Sequence, residues 1–330
     1  MIWTLLNKIT KQLVIAIPVM MVAGFIFGLR FSPDFLKTLI VPFTFLMVYP
    51  MMVNLNIQIV FKGGDVKAQL LTQAINFGII PFLAYGIGTL FFSHSPYMAL
   101  GLLLAGLVPT SGMTISWTGF ARGNLEAAVK MTVIGLTLGA LTTPFYIRFL
   151  MGTAIDIDFF KVIRQILIIV FLPMGAGYAT RQYLVKAYGQ SKFKSEIGPR
   201  FPGLSTLGVI GIVFIAMALK AKAIASAPGL LVDILVPLAL LYGVNFTISS
   251  LAGRMFLPKA DAIALAYGSV MRNLSIALAI AINAFGREGA SAALVVAVAY
   301  IIQVQSAAWY VRFTDRVFGP SVPVAGNRQA

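Results

Sequence analysis

Ten apolar runs of membrane-spanning length constrain this chain more than any short motif. A helix that crosses the hydrocarbon core needs about 20 mainly apolar residues, and only helices or closed barrels satisfy their backbone in lipid. These runs are too long and too continuous for barrel strands. The sequence therefore predicts an all-α polytopic membrane protein with ten spans, at about 12–30, 36–55, 68–92, 97–118, 124–150, 158–184, 203–223, 229–256, 260–285 and 289–313.

The composition agrees with a single membrane domain over residues 1–330. The chain is 59% hydrophobic and 11% charged, whereas soluble domains carry about 25% charged residues. We interpret the net charge of +15 as basic cytoplasmic loops facing anionic lipid, not as a nucleic-acid surface. With no cysteine and only His94, thiolate and histidine metal clusters are excluded. No cofactor is expected, and no set of catalytic acid, base or metal ligands indicates an enzyme.

The distribution of Lys and Arg predicts the orientation. With a cytoplasmic N-terminus, fifteen of these residues fall on the cytoplasmic side and eight on the other, while Lys130 and Arg272 lie inside spans. Basic loops stay inside, so both termini are expected in the cytoplasm of a cell-membrane protein. A half with five spans, an odd number, ends on the opposite side of the membrane from where it began. The two halves, 1–150 and 158–316, would therefore be inverted repeats, followed by a tail at 317–330. Spans four and nine are then equivalent.

Those two spans are also the interrupted ones. Span four contains Val108-Pro109-Thr110-Ser111-Gly112-Met113-Thr114 and span nine contains Arg272-Asn273. Proline and glycine weaken a helix, and two broken segments at matched positions indicate a secondary transporter's solute site. A buried arginine normally faces a cavity or a partner. The predicted substrate-binding residues are Thr110, Ser111, Thr114, Arg272, Asn273 and Ser275. The alternatives are a simple proline kink, and an Arg272 that only bonds carbonyl groups of a neighbouring helix.

Further polar residues lie inside spans. Asn76, Thr132 and Gln303 are candidates for an ion site or a cavity lining. For Asn76 the alternative is a hydrogen bond between helices, and for Gln303 it is packing. Lys130 follows Glu126 by four residues, which predicts an ordinary ion pair within one helix.

Several short motifs, in this order and spacing, resemble the bile acid/sodium symporter superfamily, and within it the arsenite permease family. They are Met47-Val48-Tyr49-Pro50, Asn76-Phe77-Gly78-Ile79-Ile80-Pro81, residues 106–123, Met271-Arg272-Asn273 and Ala284-Phe285-Gly286. The resemblance implies ten helices, divided into a panel and a core domain, with crossed discontinuous helices four and nine.

The chain departs from both branches of that superfamily. Arsenite permeases carry a cysteine where Thr110 stands, and acidic residues near Ser275 and Gln303; a hydroxyl group does not suit trivalent arsenic. Of the sodium-coordinating positions implied by the resemblance, only Thr114, Thr132 and Asn76 keep a side-chain oxygen. By the same resemblance, Gly268 stands where the sodium-coupled branch has an acidic residue, and Arg272 places a cation at a sodium-coordinating position.

The sequence therefore predicts a secondary transporter of a small anionic or oxyanion solute, working by alternating access without ordinary two-sodium coupling. Arsenite or antimonite efflux by a thiol-free route, and sodium-coupled organic anion symport, are the transport alternatives. A non-transporting membrane receptor is the alternative from another class.

Overall fold

The computed structural model describes residues 12–54, 64–155, 158–226 and 228–319, and within them all regular secondary structure is helical. Of the predicted tail 317–330, residues 320–330 lie outside this described part. The helices are α1 Leu13–Arg30, α2 Ile40–Val53, α3 Val66–Phe91, α4 Pro96–Leu107, α5 Gly112–Phe120, α6 Leu125–Met151, α7 159–188, α8 Phe201–Ser226, α9 Leu230–Phe256, α10 Lys259–Val270, α11 Leu274–Gly286 and α12 Glu288–Phe318. The predicted all-helical class is confirmed for these residues.

Six helical segments in the described part are long and apolar enough to cross a membrane. They are Asp34–Val53, Val66–Phe91, Leu125–Met151, Gln190–Lys222, Leu230–Phe256 and Glu288–Phe318. Three shorter apolar helices accompany them: Ile15–Arg30, Pro96–Leu107 and Leu274–Gly286. Two of these shorter helices, α4 and α11, adjoin the interrupted segments.

A proline explains the irregular turn in the middle of α3. Residues Ala74–Ile79 form a π-helical turn directly before Pro81. Proline lacks an N–H and its ring crowds the carbonyl four residues earlier, which here belongs to Phe77. The Tyr146 hydroxyl of α6 donates a hydrogen bond to that carbonyl at 2.5 Å, so the freed acceptor is satisfied by a neighbouring helix.

Glycines allow α1 to lie directly against the backbone of α8. A Cβ atom at Gly24 would stand 2.4 Å from the Phe214 carbonyl oxygen, and one at Gly28 would stand 2.1 Å from the Ala218 carbonyl oxygen. Small residues spaced by four are typical of close helix packing in membranes. On α8, Gly208 makes the same close contact with Met47 of α2. Helices α1, α2 and α8 therefore form one tightly packed group.

A second group surrounds the interrupted segments. α4 packs against α3 and α12, while α10 packs against α3, α6 and α9. The side chains of α4 from Met98 to Leu107 are all buried, as are those of α10 from Ala262 to Val270. Both half-helices are thus enclosed by other helices, as irregular backbone at membrane depth requires.

Candidate functional site

The first interruption is a complete break, not a kink. α4 ends at Leu107, Val108 is extended, and α5 begins at Gly112. Thr110 adopts a left-handed φ of 65°, which is uncommon for a residue other than glycine. Two glycines of α6 make room for it. A Cβ atom at Gly139 would lie 2.6 Å from Pro109 Cδ, and one at Gly135 would lie 2.8 Å from Thr110 Oγ1.

The second interruption separates α10 from α11. α10 ends at Val270, and Asn273 caps the next helix, its side-chain oxygen accepting a hydrogen bond from the Ile276 N–H at 3.2 Å. Asparagine is a preferred capping residue because it satisfies one of the free amides of the first turn. The same residue that marks the break in the sequence therefore starts the new helix.

The two breaks pair with each other as an isolated antiparallel bridge between Pro109 and Arg272. The Thr110 N–H donates to the Met271 carbonyl at 2.8 Å, and the Asn273 N–H donates to the Val108 carbonyl at 2.8 Å. Each broken segment thus satisfies backbone groups of the other, which buried backbone requires. Pro109 and Arg272, which are 163 positions apart in the chain, therefore meet at one point.

Gln303 of α12 binds both backbone groups of Arg272. Its side-chain oxygen accepts from the Arg272 N–H at 2.8 Å, and its amide donates to the Arg272 carbonyl at 3.1 Å. The Tyr242 hydroxyl of α9 donates to the same oxygen at 2.8 Å. Gln303 is fully buried. A side chain therefore takes the place of the missing helical partners.

Two asparagines hold the free end of α10. Asn76 of α3 donates to the Gly268 carbonyl at 3.0 Å, and Asn245 of α9 donates to the Ser269 carbonyl at 3.0 Å. The last carbonyl groups of a helix have no intrahelical partner. Asn76 and Asn245 thus fix the end of α10 from two sides, while the Asn76 side-chain oxygen has no partner among the described residues.

The Arg272 guanidinium is buried and has no hydrogen-bond partner among the residues that the structure describes. The residue is 2% exposed, and none of its three side-chain nitrogens finds a hydrogen-bond acceptor within the described part of the chain. An unpaired buried charge costs several kcal/mol. The backbone of Arg272 is fully bonded, so the structure fixes its position but leaves its charge open to a ligand.

The other predicted site residues lie around this point with different environments. Ser111 Oγ is buried and has no hydrogen-bond partner among the described residues, while the Ser111 backbone N–H donates to Thr114 Oγ1 at 3.2 Å. Ser275 shares a hydrogen bond with Tyr300 at 2.7 Å. Thr132 differs from these, because its hydroxyl donates to the Ala128 carbonyl of its own helix at 2.7 Å. It meets the break through its carbonyl, which accepts from Thr110 Oγ1 at 3.1 Å.

Comparison with known proteins identifies the family. The Sodium Bile acid symporter family matches residues 41–227, more than half of the chain. The chain belongs to this family. This is a family of membrane transporters and not of enzymes, and the resemblance predicted from the motifs is confirmed. The match includes the first break and stops before the second.

Curated relatives of this symporter-family chain include arsenical-resistance proteins and a probable sodium/metabolite cotransporter. The Arsenical-resistance protein Acr3 of Alkaliphilus metalliredigens is 26% identical over 268 residues, 77% of this chain and 75% of that protein. Its namesake from Corynebacterium glutamicum is 23% identical over 230 residues, 66% of this chain and 62% of that protein, so the match spans less than two thirds of the relative. The probable sodium/metabolite cotransporter BASS1, chloroplastic, of Arabidopsis thaliana is 29% identical over 125 residues, 38% of this chain and 30% of that protein.

A second polar cluster of this transporter lies where α3, α6 and α10 begin. The Asn124 amide donates to Asp65 at 3.0 Å and to Asp261 at 2.7 Å. Lys130, 3% exposed, pairs with Asp65 at 3.2 Å and with Glu126 at 3.3 Å. The predicted pair of Lys130 with Glu126 is confirmed. Sequence analysis missed Asp65, Asn124 and Asp261. The signal for Asp65 and Asn124 was a polar residue just before a helix, and for Asp261 it was an acidic residue in the first turn.

Proposed function

We propose that this chain is a secondary transporter that moves a small anionic or oxyanion solute by alternating access. The substrate-binding residues of the proposal are Thr110, Ser111, Thr114, Arg272, Asn273 and Ser275. The observation that carries the proposal is the Arg272 guanidinium, which is buried at the junction of two broken helices without a hydrogen-bond partner in the described part of the chain.

The chemistry of the junction favours a negatively charged ligand. A guanidinium presents a planar fork of donors that fits a carboxylate or another oxyanion. The helix α5 begins beside Ser111 and α11 begins beside Asn273. The first amides of a helix have no intrahelical partner and carry a partial positive charge, so both N-termini would add to the attraction that Arg272 supplies.

The pairing of the breaks supports an architecture of ten crossings in two inverted repeats. In this arrangement α4 with α5 forms the fourth crossing, and α10 with α11 forms the ninth. The hydrogen bonds from Thr110 to Met271 and from Asn273 to Val108 are reciprocal, as expected for segments related by a twofold axis. With both termini in the cytoplasm, residues 1–150 and 158–316 would be the repeats.

Ordinary two-sodium coupling is not part of the proposal. A sodium ion in the second break would need oxygen ligands, but the Gly268 and Ser269 carbonyl groups are already bonded by Asn76 and Asn245. The position at Gly268 offers no carboxylate, and the Arg272 cation would repel a second positive charge nearby. The solute is therefore expected to bind without sodium.

Arsenite or antimonite efflux is the second candidate, since two relatives are named arsenical-resistance proteins. The chain has no cysteine, so a thiolate cannot take part, although thiolates suit soft ligands best. A resistance assay in an arsenite-sensitive host tests this candidate directly. Protection by the expressed chain would support it, and sensitivity equal to that of the host would reject it.

Ligand-dependent thermal stability of the purified protein tests the anion proposal. The screen contains arsenite, bile salts and small organic anions, each as a sodium and as a potassium salt. A ligand at 100 times its Kd stabilises the folded state by about 2.7 kcal/mol. We expect an anion to raise Tm equally in both salts, and we expect Arg272→Gln to remove that increase together with uptake into proteoliposomes.

The matched control is Arg254→Gln, which removes an exposed arginine of α9 and should leave both readouts unchanged. An anion-induced increase that requires sodium and persists in Arg272→Gln would contradict the proposal. Arg272 would then be a structural residue of a sodium-coupled symporter.

A further inference from the structure

A cavity of about 540 Å³ lies away from both helix breaks, at the far end of α11. Its walls come from the end of α1, the turn that follows it, the end of α8 and the junction of α11 with α12. The lining residues used below are Asp34, Lys220, Lys222, Gly286 and Ala290. None of the residues of the two breaks lines it, so it is a separate space.

Two lysines, Lys220 and Lys222, line the cavity. Lys220 is half-buried, and its ammonium group donates one hydrogen bond to Ser291 of α12 at 2.9 Å. An ammonium group has three donors, so two remain for other ligands. Lys222 is exposed two residues further on. The opposing charges are Asp34, which accepts a hydrogen bond from Ser32 at 3.2 Å, and Glu288, one turn before Ser291.

The helix α11 connects this cavity with the first site. It begins beside Arg272 and ends at Gly286, which lines the cavity and has a left-handed φ of 57°. At 1.5 Å per residue, its thirteen residues Leu274–Gly286 span about 20 Å. The cavity therefore lies about 20 Å from the start of α11, at the opposite end of the helix that begins beside the buried guanidinium.

We infer that this cavity is a vestibule that admits and concentrates small water-soluble anions, with Lys220 as the cation that recruits them. The inference rests on the proposed function, because it assumes an anionic solute. A lysine in a cavity with low-dielectric walls raises the local concentration of anions. Lys220 attracts the anion, and Arg272 binds it.

The absence of native cysteine makes a direct test feasible in which the solute need not be known. Ala290→Cys places a single thiol in the vestibule. Its rate of modification is measured with an anionic reagent, methanethiosulfonate ethylsulfonate, and with its cationic trimethylammonium counterpart. The ratio of the two rates reports the local potential. Purified protein in detergent is used, so both reagents reach either side of the transporter.

Removing the Lys220 charge should change that ratio. For a unit charge about 7 Å from the thiol, Coulomb's law in water predicts that Lys220→Gln lowers the anion-to-cation ratio about fivefold at 10 mM salt, and about twofold at 150 mM, where screening is stronger. The matched control is Lys161→Gln, which removes an exposed lysine outside the cavity lining and should leave the ratio unchanged.

The inference would be overturned if neither reagent labelled Ala290→Cys, or if Lys220→Gln left the anion-to-cation rate ratio unchanged. It would also be overturned if anionic lipid in nanodiscs blocked the labelling, because the cavity would then be a lipid site. The labelling result is independent of Arg272. If Lys220→Gln changes the rate ratio but Arg272→Gln leaves anion binding intact, the proposed function is wrong and the vestibule inference is supported. If Arg272→Gln abolishes anion binding but Lys220→Gln leaves the rate ratio unchanged, only the vestibule inference is wrong.

Discussion

Replacing Gln303 by leucine should loosen the junction of the broken helices without creating a void. The two side chains have similar volumes, so the effect comes from hydrogen bonds. The substitution removes partners from three groups: the Arg272 N–H, the Arg272 carbonyl and the Tyr242 hydroxyl. Hydrogen bonds in membrane proteins average about 0.6 kcal/mol and reach about 1.7, while a buried group left without a partner costs about 1–3 kcal/mol.

Among the described residues, the Arg272 N–H and carbonyl have no hydrogen-bond partner besides Gln303. Their loss should therefore cost free energies near the upper values, while the Tyr242 hydroxyl can rotate. We therefore expect Gln303→Leu to lower the free energy of unfolding by about 2–4 kcal/mol. The measurement is reversible unfolding of the purified protein in mixed micelles titrated with dodecyl sulfate. Ser306→Ala is the control, because within the described part of the chain that hydroxyl donates to the Gln303 carbonyl of its own helix alone.

A double-mutant cycle with Tyr242→Phe makes the test specific. Alone, Tyr242→Phe should cost about 1 kcal/mol. In the Gln303→Leu background its cost should fall nearly to zero, because the hydroxyl has already lost its acceptor. Two results would contradict this role of Gln303: a free energy of unfolding of Gln303→Leu within about 0.5 kcal/mol of the wild-type value, or simple additivity of the effects of the two substitutions.

Two further stability predictions use the same unfolding measurement. Gly139→Ala should destabilise the protein by about 1–3 kcal/mol, because its Cβ would lie 2.6 Å from Pro109 Cδ. The control is Gly86→Ala, which should be neutral or stabilising because a Cβ there would have no atom within 4 Å among the described residues. Equal effects at both glycines would contradict the close contact at Gly139. Lys130→Met should cost about 3–5 kcal/mol by leaving Asp65 without its buried cation, whereas Glu126, 54% exposed, should tolerate glutamine within about 0.5 kcal/mol. If glutamine at Glu126 lowered the free energy of unfolding more than methionine at Lys130, the Lys130–Glu126 pair would contribute more than the Lys130–Asp65 pair.

Local chemistry made the helices and their interruptions predictable. Apolar runs of spanning length determine where helices can lie in lipid, since no other open structure satisfies the backbone there. Pro109 and Gly112 disfavour a continuous helix whatever surrounds them, and the Lys130 pair with Glu126 follows from helical spacing alone. Each of these inferences needs only residues that are close in the sequence.

The partners of the break residues could not be predicted in the same way. Gln303 was recognisable as a polar residue in an apolar run, but it binds the backbone of Arg272, and a backbone group carries no sequence signature. The pairing of Val108–Thr110 with Met271–Asn273 likewise depends on how α4, α6 and α10 pack. The role of Gly135 and Gly139 as space for the break is visible only once Pro109 and Thr110 lie against them.

The charge of the junction has a consequence for how the proposed transport cycle would be driven. An empty site carries the Arg272 cation, whereas a site loaded with a monoanion is neutral. Moving one charge through the membrane potential involves about 2.3 kcal/mol per 100 mV, and an unpaired buried cation adds a further penalty. The loaded transporter would therefore reorient more easily than the empty one, which favours exchange of one anion for another over one-way flux. A sodium ion bound beside Arg272 would restore the positive charge and cancel this advantage, so in the proposed cycle the side chain that would select an anion would also oppose coupling to sodium.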